Sequence, residues 1–329
     1  MALNTLANRI MKLLFNRVFL EHETGMHPEN PKRLENFTHL PNETFPDGTP
    51  FLSLIHTSEY IQKVKESCTS GTYLDQDTKT SPGSFQAATQ AVGATLKAAE
   101  NGDFALVRPP GHHAYPDRAS GFCLFNNVAI TAEYYRRQGK KVLIMDFDGH
   151  LGDGTEAIFY DSNEVMYWSI HQYPAFPGHG FIDEIGDGDG KGFTLNSPLP
   201  PGSADDIFWD AFESLLPIAR QFEPDIVAVS AGFDAHQYDL LLDLKVSNKV
   251  YYKIGKALIA NFPRLFATLE GGYNVNVLEQ GIHCFMAGVN NQPIPYEITE
   301  TCSGLREWET YEINLNAVLG KLQPYWSIR

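Results

Sequence analysis

Asp146, Asp148, His150 and Asp153 crowd into one short stretch, KVLIMDFDGHLGDGTE at 141–156, directly after the apolar run Val142–Met145. Side chains two positions apart leave an extended segment on the same face, so Asp148 and His150 can grip one cation. A third candidate, Asp234, stands in SAGFDAH at 230–236, after another apolar run. Two carboxylates and one imidazole suit a divalent metal and leave room for water or substrate, although each residue alone reads equally well as a cap or a loop residue. His112 and His113 follow Gly111. They read as ligands, an acid–base pair or surface residues, and the spare carboxylates of Asp146 and Asp153 favour acid–base work, because a carboxylate on one ring nitrogen fixes the tautomer and raises the basicity of the other. Tyr273 sits behind two glycines in EGGYN, where a phenol can donate to a developing oxyanion; the same residues also read as a turn with a packed aromatic. Phe122 and Phe176, flanked by Gly121 and by Pro177-Gly178, are candidate walls of a narrow channel or ordinary core residues, and Cys123 reads as a small packed hydrophobe.

The elements that must hold these residues follow a repeated pattern of strand, polar loop and helix. MKLLFNRVFLEH from Met11 reads as a first strand, and Phe104–Val107, Lys141–Met145, Val165–Ile170, Asp225–Ser230 and Leu265–Leu269 as later ones. Helices are predicted from Ser81 as N-cap with Pro82 at the first position, from Asn127 to Gln138 before Gly139, from a Ser203/Asp206 capping box, and from Ser247. Strands alternating with helices imply an α/β fold: an open, mainly parallel sheet flanked by helices, with the chemistry at the C-terminal ends of its strands. Loops 22–34, 108–123, 146–155, 171–180, 230–239 and 270–274 then meet at one rim. No linker or repeat interrupts the 329 residues, so residues 1–329 read as a single domain, with 1–10 an extension of it.

The chain is 43% hydrophobic and 20% charged, with a formal net charge of −15. That charge argues against direct nucleic-acid binding, and it either suits a cationic partner or merely aids solubility. The 4 cysteines, Cys68, Cys123, Cys284 and Cys302, form no Cys-x-x-Cys pair, which fits a reducing compartment. No apolar run approaches the roughly 20 residues of a spanning helix. The expectation is a cytoplasmic protein without membrane attachment.

Taken together, HETGMHPENPKR at 22–33, RPPGHHA at 108–114, GFCLFNN at 121–127, DFDGH at 146–150, SAGFDAH at 230–236 and LEGGYN at 269–274 resemble the zinc-dependent histone deacetylase family, in its class II-like and bacterial amidohydrolase-like branch and in the arginase/deacetylase fold group. The resemblance implies Asp148, His150 and Asp234 as zinc ligands, His112 paired with Asp146, His113 with Asp153, and Tyr273 as oxyanion donor. It further implies that the Gly121 carbonyl orients the substrate amide, that Phe122 and Phe176 line an acyl-lysine tunnel, that Leu241 and Asp77 stand at its rim, and that Arg33 lies beneath the site. A structural potassium would be held by Asp146, Ser169 and Ile170 with the backbone of Asp148 and His150. Leu151 replaces a histidine common in the family, and Gly149 replaces a bulkier residue, which is expected to loosen the loop. The implied activity is hydrolysis of acetyl or other short acyl groups from lysine ε-amines of peptides or proteins, with oligomerisation left open. The alternatives are an acetylpolyamine deacetylase and a catalytically silent acyl-lysine binder.

Overall fold

A computed structural model describes residues 10–262 and 264–328; all but the last residue of the expected extension 1–10 lies outside them. Seven strands, β1 (Leu13–Leu14), β2 (Phe104–Ala105), β3 (Val142–Asp146), β4 (Val165–Gln172), β5 (Thr194–Leu199), β6 (Ile226–Ala231) and β7 (Leu265–Leu269), form one sheet in the order β1-β2-β7-β6-β3-β4-β5. Every pairing is parallel. The helices are α1 (Lys32–Glu35), α2 (Ser58–Ser70), α3 (Ser84–Asn101), α4 (Asn127–Arg136), α5 (Asp153–Phe159), α6 (Asp205–Gln221), α7 (Asn248–Asn261), α8 (Val275–Val289) and α9 (Leu305–Leu322). Strands covered by helices on both faces can be apolar throughout, and every residue of β3, β4, β6 and β7 is buried.

The strand order creates the site. After β3 the chain moves outward to β4 and β5, whereas after β6 it moves the other way to β7, so the loops following the neighbours β3 and β6 part and leave a crevice between them. Asp146, the last residue of β3, is in register with Ser169 on β4 and Ser230 on β6, and β4 runs on to Gln172 beside the β3 loop. Beneath the crevice Phe147 packs against Phe233 and Phe285 at ring distances of 5.6 and 5.4 Å, fixing the start of the β3 loop from below.

Three expected elements start or stop elsewhere. The first strand is only two residues long, because the Asn16 side chain accepts from Val18 N–H and turns the chain into a 3₁₀ helix at Arg17–Glu21. Ser81 does not cap α3: its hydroxyl accepts from Glu23 N–H (3.0 Å), and the helix begins after Gly83. The Ser203/Asp206 box is absent too. Ser203 Oγ donates to the Pro200 carbonyl (2.7 Å), and Asp206 is turned toward α9, where it accepts from Ser303 Oγ (2.6 Å) and Trp308 Nε1 (3.1 Å). By contrast Ser247 caps α7 through Lys249 N–H, and Gly139 adopts the left-handed φ of 74° that ends the α4 region. The edge strand β5 and helices α2 and α9 complete the layers; the sequence reading did not assign them.

Candidate active site and metal centre

The two elements bordering the crevice supply Asp148 and His150 from one side and Asp234 from the other. One potential ligand atom from each of the three buried residues lies within 4.8 Å of the others. His150 Nδ1 is 2.9 Å from Asp234 Oδ2 and 3.3 Å from Asp148 Oδ1, so a single ring nitrogen faces both carboxylates. Backbone amides hold their other oxygens, Gly149 N–H donating to Asp234 Oδ1 (2.7 Å) and Gly271 N–H to Asp148 Oδ2 (2.8 Å), and the His112 Nε2 lies 3.9 Å from Asp148 Oδ1. Burial alone would lower the His150 pKa, but Asp234 and Asp148 outweigh it and hold it up at about 10. Burial and Asp148 push Asp234 up to about 6.

The His150 ring between the two carboxylates is the donor set a divalent cation would occupy after displacing the imidazole proton. The backbone makes room for it. A Cβ at Gly232 would collide with the Asp148 carboxylate, and one at Gly271 with the carboxylates of both Asp148 and Asp234. The residues therefore fit a metal held by two carboxylates and one imidazole. The glycine at 149 does not loosen the loop: its N–H holds Asp234, its carbonyl accepts from Gln172 N–H (2.9 Å), and a Cβ there would strike Leu242.

The tandem histidines arrive after β2 and pair as the resemblance implies. His112 Nδ1 lies 3.1 Å from Asp146 Oδ2 and His113 Nδ1 lies 2.7 Å from Asp153 Oδ1. Each carboxylate has a second partner that the sequence did not reveal: Tyr167 donates to Asp146 (3.0 Å) and Tyr115 to Asp153 (2.8 Å). The two rings then differ. For His112, burial is outweighed by Asp148, Asp146 and Glu270, which raise its pKa well above the ordinary value. His113 is lowered to about 4 by burial and by the charge of His112, so at neutral pH it is an uncharged base.

The remaining candidates frame this centre. Gly121 takes a left-handed φ of 51°, and a Cβ there would collide with the His113 ring. Phe122 stands edge-on between His27 (4.5 Å) and Tyr273 (5.7 Å), while Phe176, 49% exposed, meets His113 edge-on at 5.1 Å. The structure thus brings both phenylalanines to the approach, Phe176 at its open end. Asp77 is exposed, in a turn whose Thr78 hydroxyl accepts from Phe122 N–H (3.2 Å). Leu241 borders a cleft of about 430 Å³ whose lining includes Met26, His27, Leu240 and Tyr273. Ser169 and Ile170 lie within β4, Ser169 opposite Asp146, and Ser169 Oγ is 2.9 Å from His171 Nδ1. Leu151 is fully buried in the core.

Glu270 escaped the sequence reading, although its place directly after β7 and before two glycines was a signal. Its buried carboxylate accepts from Gly111 N–H (2.7 Å), His112 N–H (3.1 Å) and Ser230 Oγ (3.1 Å), fixing the backbone of the histidine pair. Glu270 also lies with His112 and Cys123 in a group of potential ligand atoms. Its carboxylate is already engaged, however, and burial and Glu270 raise the Cys123 thiol pKa well above normal, so this group lacks the thiolate a metal would need. Arg33 lies below, donating to the carbonyls of Glu270 (2.6 Å) and Gly272 (2.7 Å).

Residues 27–289 match the family model of the histone deacetylase domain. The chain is 33% identical to a probable deacetylase of Archaeoglobus fulgidus, over 91% of this chain and 89% of that one, and 40% identical to a probable deacetylase of Methanothermobacter thermautotrophicus, over 74% and 77% respectively. Its fold superposes on the crystal structure of the HDA15 HD domain with a TM-score of 0.86 at 30% identity, covering 97% of this chain and 96% of that one.

Proposed function

The chain belongs to the histone deacetylase family, and we propose that it removes acetyl or other short acyl groups from the ε-amine of lysine in peptides or proteins, with zinc as its catalytic metal. The observation that carries this reading is the His113–Asp153 pair beside the Asp148/His150/Asp234 set. Zinc, when bound by those three residues, polarises a carbonyl and acidifies water. His113, uncharged and held through Nδ1 by Asp153, accepts a proton on its other nitrogen; its low basicity lets it pass that proton on to the departing lysine amine. His112, held by Asp146 and Glu270, keeps a positive charge at the floor of the site, and Tyr273 donates to the developing oxyanion. The Gly121 carbonyl orients the scissile amide, Phe122 and Phe176 flank the lysine stem, and Asp77 holds the substrate backbone at the rim. Asp146, Ser169 and Ile170, with the backbone of Asp148 and His150, hold potassium between the end of β3 and the facing part of β4.

Leu241, where a carboxylate would attract a polycation, stands beside exposed Leu240 and Met26, which supports a peptide over an acetylpolyamine. All four cysteines are free, in keeping with a reducing cytoplasm, and among the described residues no helix is long and apolar enough to cross a membrane. The test is turnover of acetyl-, longer acyl- and trifluoroacetyl-lysine peptides against acetylspermidine, with chelator and with zinc restored. Peptide turnover that is lost on chelation and regained with zinc is expected. Preferential turnover of acetylspermidine would replace the peptide reading, and tight peptide binding without any hydrolysis would favour a silent acyl-lysine binder.

A further inference from the structure

Tyr273 follows Gly271 and Gly272, the latter at a φ of 112°, so its own backbone does little to fix where its phenol points. Something outside the segment must fix it. From beneath, Arg33 takes the carbonyls of Glu270 and Gly272, and its guanidinium lies 5.0 Å from the Tyr273 ring centroid. From the rim side, one carboxylate takes the amides. Asp239 Oδ2 accepts from Tyr273 N–H (2.7 Å) and Asn274 N–H (3.0 Å). Its Oδ1 accepts from Leu240 N–H (2.8 Å) and Leu241 N–H (3.3 Å). A second tie runs alongside, from Asn274 Nδ2 to the Tyr238 carbonyl (2.6 Å).

We propose that Asp239 is a positioning residue that holds Tyr273 at the active site and ties it to the rim loop 238–241. The carboxylate divides its two oxygens between two loops from different strands: β6 feeds the rim loop and β7 feeds the tyrosine segment. A carboxylate can accept on both oxygens, whereas an amide accepts on one and donates from the other, so Asp239→Asn leaves one of the two loops facing a donor instead of an acceptor. The tunnel-rim residues Leu240 and Leu241 thereby share an anchor with the oxyanion donor, and a substrate that presses on them acts on the position of Tyr273.

The proposal rests on the deacetylase reading for its kinetic test, which is a double-mutant cycle on whichever acyl substrate the zinc-loaded enzyme turns over. Asp239→Asn is expected to lower kcat by on the order of 10²-fold with KM little changed, as for a catalytic group misplaced by about 1 Å. The same substitution is expected to cost almost nothing further in a Tyr273→Phe background. Equal losses in the two backgrounds, or a loss confined to KM, would overturn the proposal. Amide exchange of residues 238–241 and 270–277 is followed in parallel and needs no substrate: either the Tyr273 and Asn274 amides or those of Leu240 and Leu241 should exchange faster in Asp239→Asn, and unchanged protection of both pairs would overturn the proposal even if no acyl substrate were turned over. Should Asp239→Asn lack a cooperative melting transition, Asn274→Ser takes its place. It retains a good helix N-cap and loses only the tie to Tyr238, and a several-fold loss in kcat that disappears in the Tyr273→Phe background is expected; equal losses in the two backgrounds refute the proposal.

Discussion

Two buried charge clusters lie on either side of segment 270–274, built from the same residue types to opposite ends. In the lower one Glu29 meets Arg108 through both of its oxygens and Arg33 at 3.0 Å, and the spare guanidinium N–H groups go to the carbonyls of Phe19, His22, Glu270 and Gly272. Although burial opposes it, Arg108 holds the Glu29 carboxyl well below the ordinary range. This cluster closes on itself. In the upper one Asp148 and Asp234 face the imidazole of His150 from two sides, the His112 ring stands 3.9 Å from Asp148, and the hydrogen bonds that remain to the two carboxylates come from backbone amides. The difference lies in where the counter-charge comes from. A buried cluster that the protein neutralises with its own arginines is scaffold, whereas one that it leaves with two carboxylates around an imidazole is built for a cation supplied from outside.

The comparison breaks if the upper cluster turns out to be scaffold. Asp234→Ala is expected to remove metal binding and turnover together while the protein still folds, as read by metal stoichiometry, circular dichroism and assay; retained stoichiometric zinc would refute the assignment. Next in size, Glu29→Gln should cost about 3–5 kcal/mol of stability, because two buried guanidiniums lose their carboxylate. Denaturant unfolding measures that loss, and the metal content of the folded fraction should stay the same; a stable variant that fails to bind metal would reverse the roles of the two clusters. Tyr273→Phe should lower kcat by roughly 10²–10³-fold without changing metal content or melting temperature. Full turnover would remove Tyr273 from the chemistry.

The smallest effect sharpens the comparison through pH. His56 is buried, with Nδ1 3.0 Å from the Tyr115 carbonyl and Nε2 accepting from Asn126 N–H (2.9 Å), and burial lowers its pKa to about 4. The unfolded chain therefore binds this proton first, so the His56 contribution is complete above about pH 6.5 and is lost as pH falls toward 4. The Glu29 carboxyl, depressed in the fold, contributes above its ordinary range and is lost only as pH falls through its lowered value. In the Asp234→Ala background, where no metal is lost, thermal melting should show a first decline between about pH 6.5 and 4 that is shallower in His56→Gln. An identical decline in both would show that His56 is not its source.

How much of this was legible beforehand depends on the reach of each interaction. The strand-loop-helix alternation, the parallel sheet and the convergence of six chemical loops followed from apolar runs and turn residues that act within a few positions. Ser203 and Asp206 had the spacing of a capping box, yet Ser303 and Trp308 outcompeted the local bond from 97 and 102 residues away. The Glu29–Arg108 pair, the Glu270 contacts to Gly111 and His112, and the second partners Tyr167 and Tyr115 carry no local signature of any kind.

By itself the sequence determined the inventory: which residues can ligate, titrate or donate, and that they stand at strand ends. The tertiary structure alone decided the partnerships. Parting of the chain at β3 and β6 brings Asp234 to His150, the loop after β2 brings His112 to Asp146 at the end of β3, and Asp239 reaches Tyr273 only because the loops after β6 and β7 leave neighbouring strands. Hydrogen bonds and ion pairs act over about 3 Å, so they are fixed by strand order and loop path, which no local pattern of residues specifies.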